Sequence, residues 1–520
     1  MALPIFAWLI WLPLLSSPLV YLAGRLSARR RQSSQKEVTW LQLAPWITLA
    51  SLLVTWAALM MTWQEFNQHG PATFTLGTVA LRLDGLSLLL AVIVLVLSTL
   101  VTFYSGPLMV DGTSVDGISV DGISVDGTSA AVSGEEKYYA LLLALTGTMI
   151  GLSCAADLFN LWLWFEAMAI TTYLLVTFYR QQSASLEAGV KVLVQSAAGS
   201  VLVLLAIALV LAETGTLDAA SVPAMRQPIV LAAGALFTVG FGVKIALVPM
   251  HTWLADAHAQ APSGISAILS GVVIEMGLIA LLRALSILAG SAIVWGELLL
   301  AFAVLNMLAG NLLALRQTQV KRLLAFSTIS HVGYMLLGLG IALYAGSAAG
   351  AQGGLFHLLS HGLMKGLAFL AAGALLYALS SAHSLTIADL AGAARRYPLL
   401  ALTFSLALLG LGGLPPLVGF ASKWQILAAG ITSHSLLIYG LVALAALNSV
   451  LSLAYYAPLV NALYRQQPSA AVLAGRPLPL QMNAPLLLLG LAVVAIGVWP
   501  NLARWLVEPA AAALLAAFGA

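Results

Sequence analysis

The chain has 520 residues, 61% of them hydrophobic and only 8% charged, with a mean hydropathy of +0.99. A water-soluble domain carries roughly 25% charged residues, so this composition excludes a soluble globular protein and requires a lipid bilayer around the chain. A formal charge of +3, with no basic face among the Lys and Arg residues, excludes a nucleic-acid partner.

The first apolar stretch, MALPIFAWLIWLPLLSSPLVYLAG, has no positive leader and runs longer than a signal-peptide core. Arg25, Arg29, Arg30 and Arg31 follow it, so it reads as a retained first span. A helix needs about 20 apolar residues to cross a bilayer. On that rule spans are predicted near 2–23, 41–63, 79–105, 138–154, 158–178, 190–213, 229–250, 262–285, 294–314, 323–343, 355–379, 398–430, 435–464 and 484–506. That is an all-α polytopic membrane protein with about fourteen crossings.

Charge in the loops tests the map, because cytoplasmic loops collect Lys and Arg. With the loop after the first span inside, fourteen of the 22 basic residues fall inside and four (Arg82, Arg226, Arg283, Arg504) fall outside. The remaining four are Lys191, Lys244, Lys365 and Lys423, in or near spans. A miscounted span would scramble the alternation after it, so the bias supports the count and places both termini outside. Between the third and fourth spans lies VDGTSVDGISVDGISVDGTS, residues 110–129, inside a predicted flexible loop over 106–137. Asp-Gly-Ser sequence of this kind cannot bury a core. The single cysteine, Cys154, excludes an internal disulfide and a Cys-ligated cluster, and reads as a small buried hydrophobe.

The spans carry ionisable residues that lipid would penalise by roughly 2.5–3.5 kcal/mol for a charge near the centre. Glu166 lies in the fifth span, Lys191 near the start of the sixth with Glu187 four residues before it, and Lys244 in the seventh. Glu275 lies in the eighth, His331 in the tenth, His357, His361 and Lys365 in the eleventh, and Lys423 in the twelfth. Steps of four residues turn about 400°, so His357, His361 and Lys365 form one slanting stripe on a helix face. Such a stripe belongs in a bundle interior. The Glu187–Lys191 spacing also suits a structural salt bridge.

Two spans carry prolines where a helix should be continuous. Pro249, two residues before His251, interrupts the seventh, and Pro415-Pro416, among Gly412, Gly413 and Gly419, interrupts the twelfth. Proline removes a helical hydrogen bond. A broken helix at membrane depth is tolerated where it is buried in protein or lines a watery cavity, and two such breaks in the two halves suit an inverted-repeat transporter. The break at Pro249 is expected to free carbonyls that can hold water.

Five stretches, DLFNLWLWFEAMAITTYLL, VKIALVPMHTWLADAHAQAP, KRLLAFSTISHVGYMLLG, HLLSHGLMKGLAFLAAGAL and GLPPLVGFASKW, resemble the antiporter-like membrane subunits of respiratory complex I. They equally resemble the related subunits of multisubunit cation/proton antiporters and membrane-bound hydrogenases. The resemblance runs from about 80 to 465. It implies two inverted five-helix repeats, here a first antiporter-like half over 138–285 and a second over 294–464. N-terminal transmembrane helices over 1–105 and a C-terminal helix over 484–520 flank them. It also implies a chain of buried polar residues at the midplane, with Glu166 as the partner of a pumping Lys244. In the same way His331 and His361 become links into the second half, and Lys423 the end of the second half-channel. Lys365 matches a lysine that only some branches carry. Where the family usually has a lysine in the eighth span, this chain has Glu275 in VIEMG.

The expected function is proton translocation within a larger energy-converting complex of the NADH:quinone oxidoreductase type. The expected relay is Glu166, Lys244, Glu275, His331, His361, Lys365 and Lys423, with Lys191, Glu187, His251 and His357 in secondary roles. No cofactor or metal is expected on this chain. Other membrane subunits, lipid, and protons or sodium are the expected partners, in a bacterial plasma membrane or an equivalent energy-converting one. Four alternatives stay open: a sodium/proton antiporter subunit, a membrane-hydrogenase subunit, a non-conducting scaffold, and a subunit coupling proton flow to inorganic carbon uptake.

Overall fold

Lipid offers a polypeptide backbone no hydrogen-bond partners, so a spanning segment must satisfy itself as a helix. The computed structural model follows that rule over the residues it describes, 4–33, 43–110, 134–218, 222–288, 292–379, 385–465 and 467–519. Two helices, α1 (Trp8–Ser33) and α2 (Leu43–His69), open the chain. A two-stranded antiparallel hairpin follows, β1 (Ala72–Leu76) and β2 (Val79–Leu83), before α3 (Gly85–Val110). The hairpin corrects the third expected span, whose residues 79–83 are strand. Its sequence alternates at period two and turns at Gly77, whose φ of 60° favours glycine. Residues 111–129 of the Val-Asp-Gly repeat lie outside the described residues.

The next ten crossings fall into two runs of five. The first is α4 (Glu135–Ser153), α5 (Leu158–Val176), α6 (Ser183–Thr214), then α7 (Gln227–Ile245) broken from α8 (Leu254–Gln260). It ends with α9 (Ser263–Ile268), which continues through a π turn at Leu269–Val273 into α10 (Ile274–Ile287). The second is α11 (Ala292–Ala314), α12 (Val320–Ala345), α13 (Ala348–Leu379), α14 (Pro398–Gly412) broken from α15 (Val418–Ile431), and α16 (Leu436–Leu463). In each run the fourth member is the broken one. In each, the leading half ends on a left-handed residue, Ala246 (φ 58°) and Gly413 (φ 82°).

A short α17 (Ala470–Ala474) precedes α18 (Leu480–Val498) and α19 (Arg504–Phe518). The predicted C-terminal helix over 484–520 is therefore two helices, parted by a 3-10 turn at Pro500–Ala503. Among the described residues 12 helices are long and apolar enough to cross a membrane. The other two expected spans correspond to α4, which starts with Glu135 and Glu136, and to the broken α14–α15 pair.

The core lies where apolar helices have no lipid face. The spans built on α9–α10, α12 and α13 are almost wholly buried, whereas α1, α2, α6, α11 and α16 expose rows of Leu and Val. Ionic clusters pin the two ends. At one, Arg283 of α10 donates to Asp84 before α3 (3.0 and 3.1 Å) and to the Ser153 carbonyl closing α4 (2.7 Å). At the other, Lys191 of α6 and Arg322 of α12 both grip Asp256 of α8, at 2.8 and 2.5 Å. Arg283 was expected outside and Arg322 inside, so the two clusters fit the alternating loops.

Candidate functional site

The last turn of α7 brings Lys244 into the interior, where it is almost fully buried. Its Nζ makes no hydrogen bond among the described residues and stands 5.8 Å from the centre of the Trp253 ring. Glu166 of α5 is the acid in electrostatic reach of it. One Glu166 carboxylate oxygen is likewise buried without a partner. Leaving a buried ammonium and carboxylate oxygen unbonded costs several kcal/mol by the usual rule for buried polar groups.

The break after Lys244 is held by protein side chains. Asn306 of α11 accepts from the Val248 amide (2.9 Å) and donates to the Ala246 carbonyl (3.4 Å), and the Trp253 indole donates to the Val243 carbonyl (2.7 Å). Side-chain donors thus already reach the Ala246 and Val243 carbonyls. His251 sits in the break, half-buried, with its Nδ1 unbonded.

Glu275 follows the π turn by two residues, a place where inserted π turns often mark function. Its Oε1 is 2.9 Å from His361 Nδ1, and its Oε2 is buried without a partner. Two glycines permit the approach. A Cβ on Gly362 would lie 2.7 Å from the Gly271 carbonyl oxygen, and one on Gly271 would lie 3.0 Å from the Gly362 oxygen. Lys244 packs near the same helix, its Cβ 3.2 Å from where a Cβ on Gly277 would stand.

The predicted stripe on α13 is wholly buried and fans out to three neighbours. His361 meets Glu275 on α10. His357 meets His331 of α12 (3.1 Å) and Ser422 of α15 (2.9 Å). Lys365 donates to the Leu324 carbonyl (2.7 Å) and to the Ser327 hydroxyl. The His331 ring lies 5.3 Å from both the His357 and His361 rings. On α15, Lys423 donates to the Leu411 carbonyl (2.8 Å) and to Ser449 (2.9 Å), and stands 4.7 Å from the Tyr334 ring centre. Ser449 in turn takes the Gly412 carbonyl (3.1 Å), so the second break is also satisfied from within.

The structure thus brings Glu275, His331, His357, His361 and Lys423 together, sets Lys365 one turn of α13 beyond His361, and places Lys244 and Glu166 beside them in the first half. Glu187 and Lys191 lie apart at the rim, where Lys191 bonds Glu187 and Asp256, each at 2.8 Å. Sequence reasoning missed Ser422, Ser449 and Tyr334, because hydroxyls look unremarkable in a span; Ser422 beside Lys423 and Tyr334 one turn after His331 could have been found by that nearness, whereas Ser449 lies 26 residues from Lys423. It also missed His258, which stacks on Phe369 at 4.6 Å with both ring nitrogens unbonded. Its place in HTWLADAH, near the first break, could have singled it out.

A family profile described as NADH:quinone oxidoreductase/Mrp antiporter, transmembrane, matches residues 155–451. The F(420)H(2) dehydrogenase subunit N of Methanosarcina mazei is 33% identical over 381 residues, spanning 70% of this chain and 75% of that protein. A chain of the membrane-bound sulfane sulfur reductase, an archaeal respiratory membrane complex, superposes with a TM-score of 0.81 at 26% identity, covering 99% of each chain. A chain of respiratory complex I from Thermus thermophilus gives 0.71 at 27% identity, covering 94% of this chain and 98% of that one.

Proposed function

We propose that this chain, which belongs to the NADH:quinone oxidoreductase/Mrp antiporter membrane family, carries protons across the membrane by an electrostatic relay. The related chains are parts of an archaeal respiratory membrane complex and of respiratory complex I. This one works in the same manner, beside other membrane subunits that supply the driving energy. Any redox chemistry belongs to those partners.

The carrying observation is the run of buried contacts from Glu275 through His361, His331 and His357 to Ser422. Two unit charges about 3 Å apart at an effective dielectric constant near 20 interact by roughly 5 kcal/mol. Each 1.4 kcal/mol is a factor of about ten in an equilibrium. A proton arriving on one member therefore changes its neighbour's proton affinity by orders of magnitude. In this reading Lys244 holds the proton of the first half and Glu166 sets how tightly it is held. Glu275 with His361 passes the change to the second half, where Lys423 stands as the charge beside the His357–Ser422 end of the relay. Lys365, His251 and His258 line its flanks.

The reading is tested in proteoliposomes of the chain with its co-purifying partners, under an imposed potassium diffusion potential with an internal pH dye. Proton entry coupled to the potential supports it; its absence refutes it. The second reading, sodium/proton exchange, rests on the Mrp branch of the family and is tested in the same vesicles with a sodium tracer.

A further inference from the structure

A cavity of about 230 Å³ lies where α13 and α15 meet the turn between α18 and α19. Gln352, Phe356, Gln425, Asn501, Arg504 and Glu508 line it. Five of these six are amides or an Arg–Glu pair, and Pro500, Ala503 and Val507 complete a mainly polar lining suited to water.

Its position is what matters. α13 and α15 touch at Gly353, where a Cβ would stand 3.1 Å from the Ile426 amide. Gln352 and Gln425 are the residues beside that contact. Ser422 lies three residues before Gln425, and His357 lies five after Gln352. At 1.5 Å per residue these are offsets of about 4.5 and 7.5 Å along the two helices. The 2.9 Å bond between His357 Nδ1 and Ser422 Oγ therefore lies about one helical turn below the cavity. Above it, Arg504 and Glu508 pair at 2.5 Å. Trp499 and Trp505 are exposed there, and Trp505 meets Trp63 edge-on at 4.8 Å. Exposed tryptophans gather at the membrane–water interface. The alternation of loop charges assigns Arg504 to the outside, and on that assignment the cavity opens there.

We propose that this cavity is the outer mouth of the proton path, reached from His357 through Ser422, with Gln352 and Gln425 holding the water that receives the proton. The proposal rests on the proton-carrying reading and adds its exit. A proton reaching His357 on Nε2 makes the ring cationic. The ring then releases its Nδ1 proton to Ser422 Oγ, and Ser422 passes its own hydroxyl proton to water in the cavity. The N–H formed at Nε2 is matched by the one broken at Nδ1, and the O–H formed on Ser422 by the one it gives up, so one proton moves; the ring is left as the Nε2–H tautomer and accepts the next proton once it has reoriented to turn that N–H toward Ser422. Glu508 at the rim favours the departing cation.

The test places single cysteines at Gln425 and, as a lipid-side control, at exposed Trp424. The native Cys154 is buried and does not compete. Vesicles of known orientation holding the assembled protein are treated with a membrane-impermeant anionic thiol reagent from either side, and proton flux is then measured. The expected result is that Gln425→Cys labels from the outside only and loses most of its flux on labelling, whereas treated Trp424→Cys keeps its flux. Ser422→Ala should lose flux in an assembled protein and Ser422→Thr, which keeps the hydroxyl, should retain it. If the unmodified protein carries protons but Gln425→Cys labels from the inside, fails to label, or labels without loss of flux, the exit is overturned and the relay stands. If Ser422→Ala carries protons normally, the route through Ser422 is likewise overturned. If the unmodified protein carries none, the relay falls and the exit falls with it.

Discussion

Glu275 and His361 share a 2.9 Å hydrogen bond between Oε1 and Nδ1, and both side chains are fully buried. Glu275 closes the first run of five crossings and His361 belongs to the second, so the bond joins the two. Glu275→Gln keeps the shape and a hydrogen-bonding oxygen but removes the ionisable group. Proton flux in vesicles should fall to background while the complex still assembles on a native gel. Glu275→Ala should in addition leave His361 unpaired and lower stability by about 1–3 kcal/mol, read as a fall in thermal midpoint. Normal flux through Glu275→Gln would remove Glu275 from the relay.

The Asp84–Arg283 pair makes a prediction about acid stability. Burial pushes the Asp84 carboxyl up, but the Arg283 charge and hydrogen bond, the Ser87 amide and the Arg82 charge outweigh it and hold it below its usual value. A carboxyl lowered in the folded state contributes stability that is present above its unfolded pKa. That stability is lost as pH falls through the folded value. The thermal midpoint in detergent should therefore decline as pH drops below the ordinary carboxylate range of about 3.9. Asp84→Asn should start lower at neutral pH and decline less steeply. Arg283→Met, which strands a buried carboxylate, should cost about 3–5 kcal/mol.

Gly419 sets the distance between the halves of the second broken helix. A Cβ there would fall 1.9 Å from the Gly410 carbonyl oxygen, backbone that cannot step aside. Gly419→Ala should displace α15, with it Ser422 and Lys423, and reduce both assembly and flux. Gly440→Ala is the control: apart from its chain neighbours and its own helix backbone, nothing lies within 4 Å of its Cβ position. It should be neutral in both assays.

Lys191 separates a clamp from a relay. It is exposed on 42% of its side chain and bonds Glu187 and Asp256 at the rim. Exposed pairs contribute about 0–1 kcal/mol. Lys191→Met should leave proton flux near normal and shift the thermal midpoint only slightly. A loss of flux as large as that of Glu275→Gln would place Lys191 in the path.

Most of the fold was legible because lipid leaves the backbone so few choices. Long apolar runs and the alternation of Arg and Lys located the crossings, and Pro249 and Pro415-Pro416 marked both breaks. The hairpin at 72–83 was not legible as such: its apolar residues merge with those of α3, and only the period-two pattern and Gly77 distinguish it. Of the site, the charged and imidazole members stood out because lipid penalises them. Their contacts did not, since His361 meets Glu275 only through the glycine gap at Gly271 and Gly362. Ser422 and Ser449 stood out less for the opposite reason: a hydroxyl is cheap to bury when a backbone carbonyl accepts its proton, as those of Gly419 and Gly412 do.

The proton-carrying role of Lys244 is tested most directly by proton flux through Lys244→Ala in the assembled complex, measured beside the unmodified protein. An intact complex that carries no protons is expected, because the first half has lost the group proposed to hold them. An assembled Lys244→Ala complex with normal proton flux would rule that role out.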